Sequence, residues 1–468
     1  MIATRLNPHP PDRVRGSLSP LTRLFRRRPS FPRGLHLPEH KDTAGLPIRR
    51  LPFAPELIVP MLQHIGKPAI PLVRPGQTVV RGEPIARADG FYSLPVHAPV
   101  TGVVRAVEPR LLADGRMVTA VVIHTQAAAD QRVLWRSPRE VETLTGPELI
   151  QAIQDTGLAG MGGAAFPAHA KLAPPEDAVI DTLIVNGAEC EPYLTCDHRV
   201  MLEWPTAVMD GIRLAMRACG ARHAVIGVED NKPDAIAALT AALPADGSIR
   251  VQAVATKYPQ GAADILVYTL TGREVPAGQR SSAVGVLVSN VMTLATLGQL
   301  LPAGEGLIER VITVAGPGVT RPGNYRVPLG TPMRYLLDYV GARGGVREVV
   351  LGGPMMGPAV ASLDVPVTKG TSGVLVLTPR ELAYETRPVR ACIKCGECVR
   401  VCPRGLNPSM LGLLATRGEY ETMVADYHLE QCFECGCCSY VCPANIPLVQ
   451  QFRVAKGVWR KRSATRAA

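Results

Sequence analysis

Aromatic side chains make up only 4% of this 468-residue sequence, and charged ones only 19%. A nucleic-acid groove needs basic residues with aromatics interleaved, so nucleic acid is not expected as a partner. An apolar leader is also missing: Met1 to Pro38 is rich in Arg and Pro, and no secretory signal is read there. A cytoplasmic protein is therefore expected. No run is apolar enough to span a bilayer. The longest uncharged stretch, Ser281 to Gly304, is broken by Ser282, Gly285, Ser289, Asn290, Thr293 and Thr296. Its halves, SAVGVLVSN and VMTLATLGQLL, predict a buried strand and then a helix, so any membrane attachment is peripheral.

Hydrophobic residues reach 46%, the balance of a folded protein, and the length suggests about three or four domains. The net charge of +11 is located at the two ends. Residues 1–50 carry eleven Lys/Arg against three acids, and residues 453–468 carry six against none. Arg26-Arg27-Arg28 and Arg460-Lys461-Arg462 thus fall on termini expected to be mobile, where they suit anionic lipid or an acidic protein.

A multidomain α/β protein is expected. Residues 1–35 form a disordered basic N-terminus. Residues 36–135 read as a β-rich barrel-sandwich unit, because RPGQTVVRGEPIA and HAPVTGVVRAVE are short strands broken by Gly and Pro. Residues 146–301 alternate buried strands with helices, which indicates a mostly parallel sheet with its ligand at the carboxyl ends of the strands. Residues 310–377 return to a Gly/Pro-rich β pattern the size of a β-grasp module, and residues 382–452 are an internal repeat, followed by a basic tail over 453–468.

The repeat carries the sharpest signal. CIKCGECVRVCP begins at Cys392 and CFECGCCSYVCP at Cys432, each of the form Cys-x2-Cys-x2-Cys-x3-Cys-Pro. Three cysteines at two-residue gaps wrap three corners of a cuboidal cluster, and the fourth thiolate comes from elsewhere. In two-cluster ferredoxins the last cysteine of each run serves the other cluster. Two 4Fe-4S clusters are therefore expected, one on Cys392, Cys395, Cys398 and Cys442, the other on Cys432, Cys435, Cys438 and Cys402. Structural zinc sites use two pairs per ion and fit triplets plus singlets poorly.

A second motif, GLAGMGGAAFPAHAKL, places Gly160, Gly162 and Gly163 before Lys171, a pattern suited to phosphate. The G-x-G-x-x-G spacing is absent. The next strand runs into Asn186-Gly187-Ala188-Glu189-Cys190-Glu191-Pro192, polar residues at a strand's carboxyl end.

These two segments are similar to the flavin-binding subunit of respiratory complex I. The chain from HKDTAG through the double cysteine motif resembles the RnfC component of the Rnf ion-translocating electron transport complex. The resemblance implies non-covalent FMN, with Gly160, Gly162, Gly163 and Lys171 cradling its phosphate and Asn186 holding the ring. It implies that Glu189 and Glu191 stand near flavin and nicotinamide, with Tyr258 and Gly261 of KYPQG beside the flavin and Asn290 and Thr293 after the last strand. NAD(H) would be the substrate, and the membrane subunits of an Rnf-type complex the partners, with ferredoxin engaged indirectly on the cytoplasmic side of the inner membrane. The β-rich N-terminal unit resembles a lipoyl- or biotinyl-type domain without the carrier lysine at its hairpin. One departure is Ala262 and Ala263, where complex I has two glutamates. It keeps open an iron–sulfur wire and docking subunit; the other alternative is a soluble flavin oxidoreductase subunit.

Overall fold

The computed structural model describes residues 28–175, 178–342, 348–382 and 387–467. At its centre lies a four-stranded parallel sheet in the order Ile249–Val254, His223–Glu229, Thr182–Gly187, Val286–Asn290. The chain adds its second and third strands to one side of the first and its fourth to the other. The strand order therefore reverses between Thr182–Gly187 and Val286–Asn290, where Asn186 stands opposite Asn290. Loops diverge at such a point and leave a crevice at the carboxyl ends.

Alternation along these strands builds two layers. Leu183 and Val185 face the helices Pro205–Cys219 and Val291–Ala303, while Ile184 packs with Leu266 and Val267 of the helix Ala263–Thr271 on the other face. The expected strand and helix within 281–304 are Val286–Asn290 and Val291–Ala303. Among the described residues no helix is long and apolar enough to cross a membrane. The helix pair crosses at glycines: a Cβ on Gly211 would lie 1.7 Å from the Leu294 carbonyl oxygen, and one on Gly298 2.2 Å from that of Ala207.

The N-terminal unit closes a four-stranded and a three-stranded sheet around Leu57, Val59, Ile85, Val104 and Ile123. One strand within its expected bounds of 36–135 belongs elsewhere. Ile48–Arg50 pairs in parallel with Gly323–Pro328 and so becomes the edge of the five-stranded sheet of the β-grasp-sized module. In the repeat, each cysteine triplet leads into a short helix, Glu397–Val401 and Cys437–Val441.

Two expectations about the ends are corrected. Residues 1–27, with Arg26 and Arg27, lie outside the described residues, but from residue 28 the chain is anchored. Phe31 is buried, and Leu35 exchanges two 2.8 Å backbone hydrogen bonds with Tyr258. The basic tail is the far part of a helix, Leu448–Ala467, held because Phe452 and Ala455 enter the core of the cluster unit and Arg453 pairs with Glu434 at 2.6 Å.

Gly298→Ala forces the two helices apart and is expected to cost about 1–3 kcal/mol. Denaturant unfolding of the full chain followed by circular dichroism measures it, and an unchanged midpoint would contradict the close crossing.

Candidate functional site

A cavity of about 810 Å³ opens at the switch point and is walled by all four units. The N-terminal unit contributes Gln63 and His64, the β-grasp module Gly353 and Ser372, and the cysteine repeat Arg404 and Phe433. Of the residues expected at a flavin site, Gly162, Gly163, Asn186, Glu189, Glu191, Tyr258, Gly261 and Asn290 line it. Gly160, Lys171 and Thr293 do not. Gly160 donates its N–H to the Phe166 carbonyl at 2.8 Å, closing the turn before the short helix Ala168–Leu172, on which Lys171 is open to solvent yet enclosed enough that burial lowers its ammonium below the usual range. Of the cradle expected from Gly160 to Lys171, Gly162 and Gly163 lie at the cavity wall. Gly163 has φ 107° with open space beside it, a backbone conformation suited to glycine.

The loop after the first strand is held from beneath by two lysines, the half-buried Lys41 and the buried Lys232. Lys41 Nζ donates to the carbonyls of Glu189 (2.8 Å), Glu191 (2.9 Å) and Leu194 (2.5 Å). Lys232 Nζ donates to the Ala188 carbonyl at 2.7 Å and to Glu229 at 3.1 Å. With these carbonyls turned inward, the side chains face the cavity. Asn186 Nδ2 donates to the Gly261 carbonyl at 2.8 Å, joining the loop to KYPQG.

The two glutamates act as clamps. Glu189 accepts from the backbone N–H of Asp197 (2.7 Å) and His198 (3.2 Å), capping the helix Cys196–Glu203. Glu191 accepts from the N–H groups of Met355 and Met356, both at 3.0 Å, and so ties the β-grasp module to the loop. Burial pushes the Glu191 carboxyl from 4.5 up to about 7, against the pull of those two N–H groups and Lys41. Asp197 is raised to about 7 by burial and by Glu189, although it accepts a 2.6 Å bond from Asn290 Nδ2. Asn290 Oδ1 in turn accepts from the Thr293 N–H at 3.1 Å, and Thr293 Oγ1 accepts from the Met161 N–H at 2.9 Å. Asn290 and Thr293 therefore brace the Gly-rich loop.

Thiols of the two runs act on one another across the repeat. The thiols that act on Cys398 are Cys442, Cys395 and Cys392, whereas Cys435, Cys432 and Cys402 act most strongly on Cys438. Burial, with these neighbours adding to it, raises both thiols. Thiols raised by burial and by one another, as Cys398 and Cys438 are, need a cation to stay ionised, which suits iron–sulfide ligation. Tyr258 links this region to the cavity. It lines the cavity wall, and its hydroxyl donates to the Cys435 carbonyl at 2.7 Å.

Residue patterns gave no sign of Lys41, Lys232, Asp197, Arg404 or Phe433. Lys41 lies within HKDTAG, a segment that only the family resemblance singled out.

Family comparisons agree with this layout. Residues 29–128 match the RnfC barrel sandwich hybrid domain, 153–299 the Nuo51 FMN-binding domain, 311–359 the SLBB domain, and 391–446 the 4Fe-4S dicluster domain. The C subunit of the proton-translocating ferredoxin:NAD(+) oxidoreductase complex of Clostridium ljungdahlii is 40% identical over 432 residues, which cover 91% of this chain and 93% of that relative. The chain belongs to the RnfC family. Another member, the C subunit of the ion-translocating oxidoreductase complex of Haemophilus influenzae (strain Rd), is 41% identical over 92% of this chain but only 52% of its own length. The chain thus spans about half the length of that relative. An NAD+-reducing NiFe-hydrogenase in the air-oxidized state shares the fold at TM-score 0.50 and 20% identity, over 68% of this chain and 64% of the hydrogenase chain.

Two outcomes are expected for this RnfC-family chain. Cys395→Ala is expected to remove about half of the bound iron, counted in anaerobically prepared protein; full retention would contradict the crossed set. Because Glu191 binds its proton more tightly folded than unfolded, its contribution to stability is present below about pH 4.5 and falls as pH rises towards about 7. Thermal midpoints across that window are expected to fall less steeply in Glu191→Gln than in the unaltered chain, and equal slopes would contradict the buried carboxyl.

Proposed function

We propose that the chain exchanges electrons between NAD(H) and one-electron partners through FMN in the switch-point cavity and two 4Fe-4S clusters. It would do so as a peripheral subunit on the cytoplasmic side of a membrane-bound Rnf-type complex. The observation that carries this reading is the wall shared by cavity and cluster loop, with Tyr258 on one side and the Cys435 carbonyl 2.7 Å from its hydroxyl on the other.

The residues present fit both kinds of cofactor. Gly162 and Gly163 leave room for a phosphate at the backbone, and Asn186 offers an amide at the crevice. FMN supplies the exchange between a two-electron hydride donor and one-electron carriers. The chain's part is to position and to seal. Lys41 and Lys232 fix the loop, Glu191 ties the β-grasp module across it, and Arg404 and Phe433 close the side toward the cysteines. The set Cys402, Cys432, Cys435 and Cys438 lies nearest the cavity. Cys392 and Cys395 of the other set are exposed, which favours an order from cavity to buried set to exposed set.

Ala262 and Ala263 line the cavity without carboxylates, and this favours the second reading of an iron–sulfur wire that docks without nucleotide chemistry. Protein purified under argon distinguishes the two. FMN released on denaturation, with bleaching of the visible spectrum by NADH, is expected; broad absorption with neither would leave only the wire. Gly162→Val drives its side chain toward Asn290, whose Cβ lies 3.2 Å from an added Cβ. It is expected to weaken FMN binding about tenfold or more, roughly 1.4 kcal/mol, at unchanged iron content.

A further inference from the structure

The two cysteine sets differ in what surrounds them. Cys392 and Cys395 are open to solvent, whereas Cys402, Cys435 and Cys438 are buried and Cys432 is half-buried. A 4Fe-4S cluster on four thiolates is an anion, and reduction adds one more negative charge. Burial disfavours the state of higher charge, so cover alone makes the inner set the harder one to reduce. The last helix, Leu448–Ala467, supplies a counterweight. Arg453 and Lys456 stand one turn apart on it, while Phe452 and Ala455 hold it in the core of the cluster unit. Lys456 Nζ donates to the Cys432 carbonyl and, at 3.1 Å, to Glu434, which lies between Cys432 and Cys435. Arg453 pairs with the same carboxylate at 2.6 Å. Two cations thus share one acid, and one positive charge is left uncompensated in this triad. The Lys456 side chain that carries it against Cys432 is only 12% exposed, so water screens it little.

We propose that Lys456 and Glu434 set the reduction potential of the inner cluster, on Cys402, Cys432, Cys435 and Cys438, Lys456 raising it and Glu434 holding it down. The inference rests on the cluster reading above. Lys456 attracts the reduced cluster more strongly than the oxidised one, because the reduced one carries the larger negative charge. Its ammonium therefore favours uptake of an electron, and the Glu434 carboxylate opposes it. The step is the gain of one electron from a reductant, with no bond made or broken and no proton moved. Lys456 touches the backbone of a ligand and not the iron, so it is a positioning residue that acts by its charge. Its effect is to keep the covered cluster reducible by a donor in the cavity, despite the burial that works against it.

The test is an anaerobic redox titration of the full chain, with each reduced cluster followed by low-temperature electron paramagnetic resonance. In Lys456→Gln one of the two midpoints is expected to fall by about tenfold in the reduced-to-oxidised ratio at a fixed potential, ~59 mV for one electron. In Glu434→Gln the same midpoint is expected to rise by a similar amount, and in Lys456→Arg to stay near that of the unaltered chain. The second midpoint and the iron content are expected to hold in all three. A structural disturbance of the loop gives no reason for opposite signs, so shifts of the same sign, or none, would overturn the assignment. It is also overturned if the midpoint that moves is the one lost in Cys395→Ala, which lacks the outer cluster. If Lys456→Gln loses iron, Glu434→Gln decides: an upward shift supports the assignment and an unmoved midpoint overturns it. If dithionite brings out no cluster resonance in the unaltered chain, the cluster reading itself fails, and the tuning with it.

Discussion

The arrangement depends on a buried loop that has to satisfy its own backbone. The chain leaves the first strand at Asn186 and turns twice through left-handed conformations, at Glu189 (φ 51°) and Tyr193 (φ 70°). Such a turn strands carbonyls away from any sheet, and an unpaired buried carbonyl costs about as much as a lost hydrogen bond. Lys41 and Lys232 meet that need, and the ammonium groups are themselves satisfied by the carbonyls they receive. Because Lys41 belongs to the N-terminal segment and Glu191 reaches the β-grasp module, one loop fastens three units together. The cavity is what remains between them.

The fourth unit is fastened at the same place. Tyr258 bonds the Cys435 carbonyl, Leu35 pairs with Tyr258, and Arg404 forms an ion pair with Asp264 on the helix that begins at the cavity. A flavin held here would face the buried cysteine set across one layer of side chains, with the exposed set beyond it. Position alone would then impose the sequence of electron carriers, and the protein would need no moving part to do so.

Much of this was legible in the residues, for physical reasons that can be named. The alternation of apolar strands with helices over residues 146–301 marked the parallel sheet, whose strand His223–Glu229 is buried along almost its whole length. The cysteine spacing carries its own geometry. What could not be read was long-range. The strand Ile48–Arg50 leaves its neighbours to pair with a segment almost three hundred residues on, and no local pattern signals that. Lys41 and Arg404 act only through partners that the fold brings to them. Residues 28–35 and the last helix were misread because net charge says nothing of the few apolar residues, Phe31 and Phe452, that anchor them.

Iron anomalous scattering from crystals grown without oxygen tests the central claim most directly. Two separate iron sites are expected, one within Cys402, Cys432, Cys435 and Cys438 against the cavity wall, the other within Cys392, Cys395, Cys398 and Cys442 at the surface. A single site, or one enclosed by four consecutive cysteines of the same run, would contradict it.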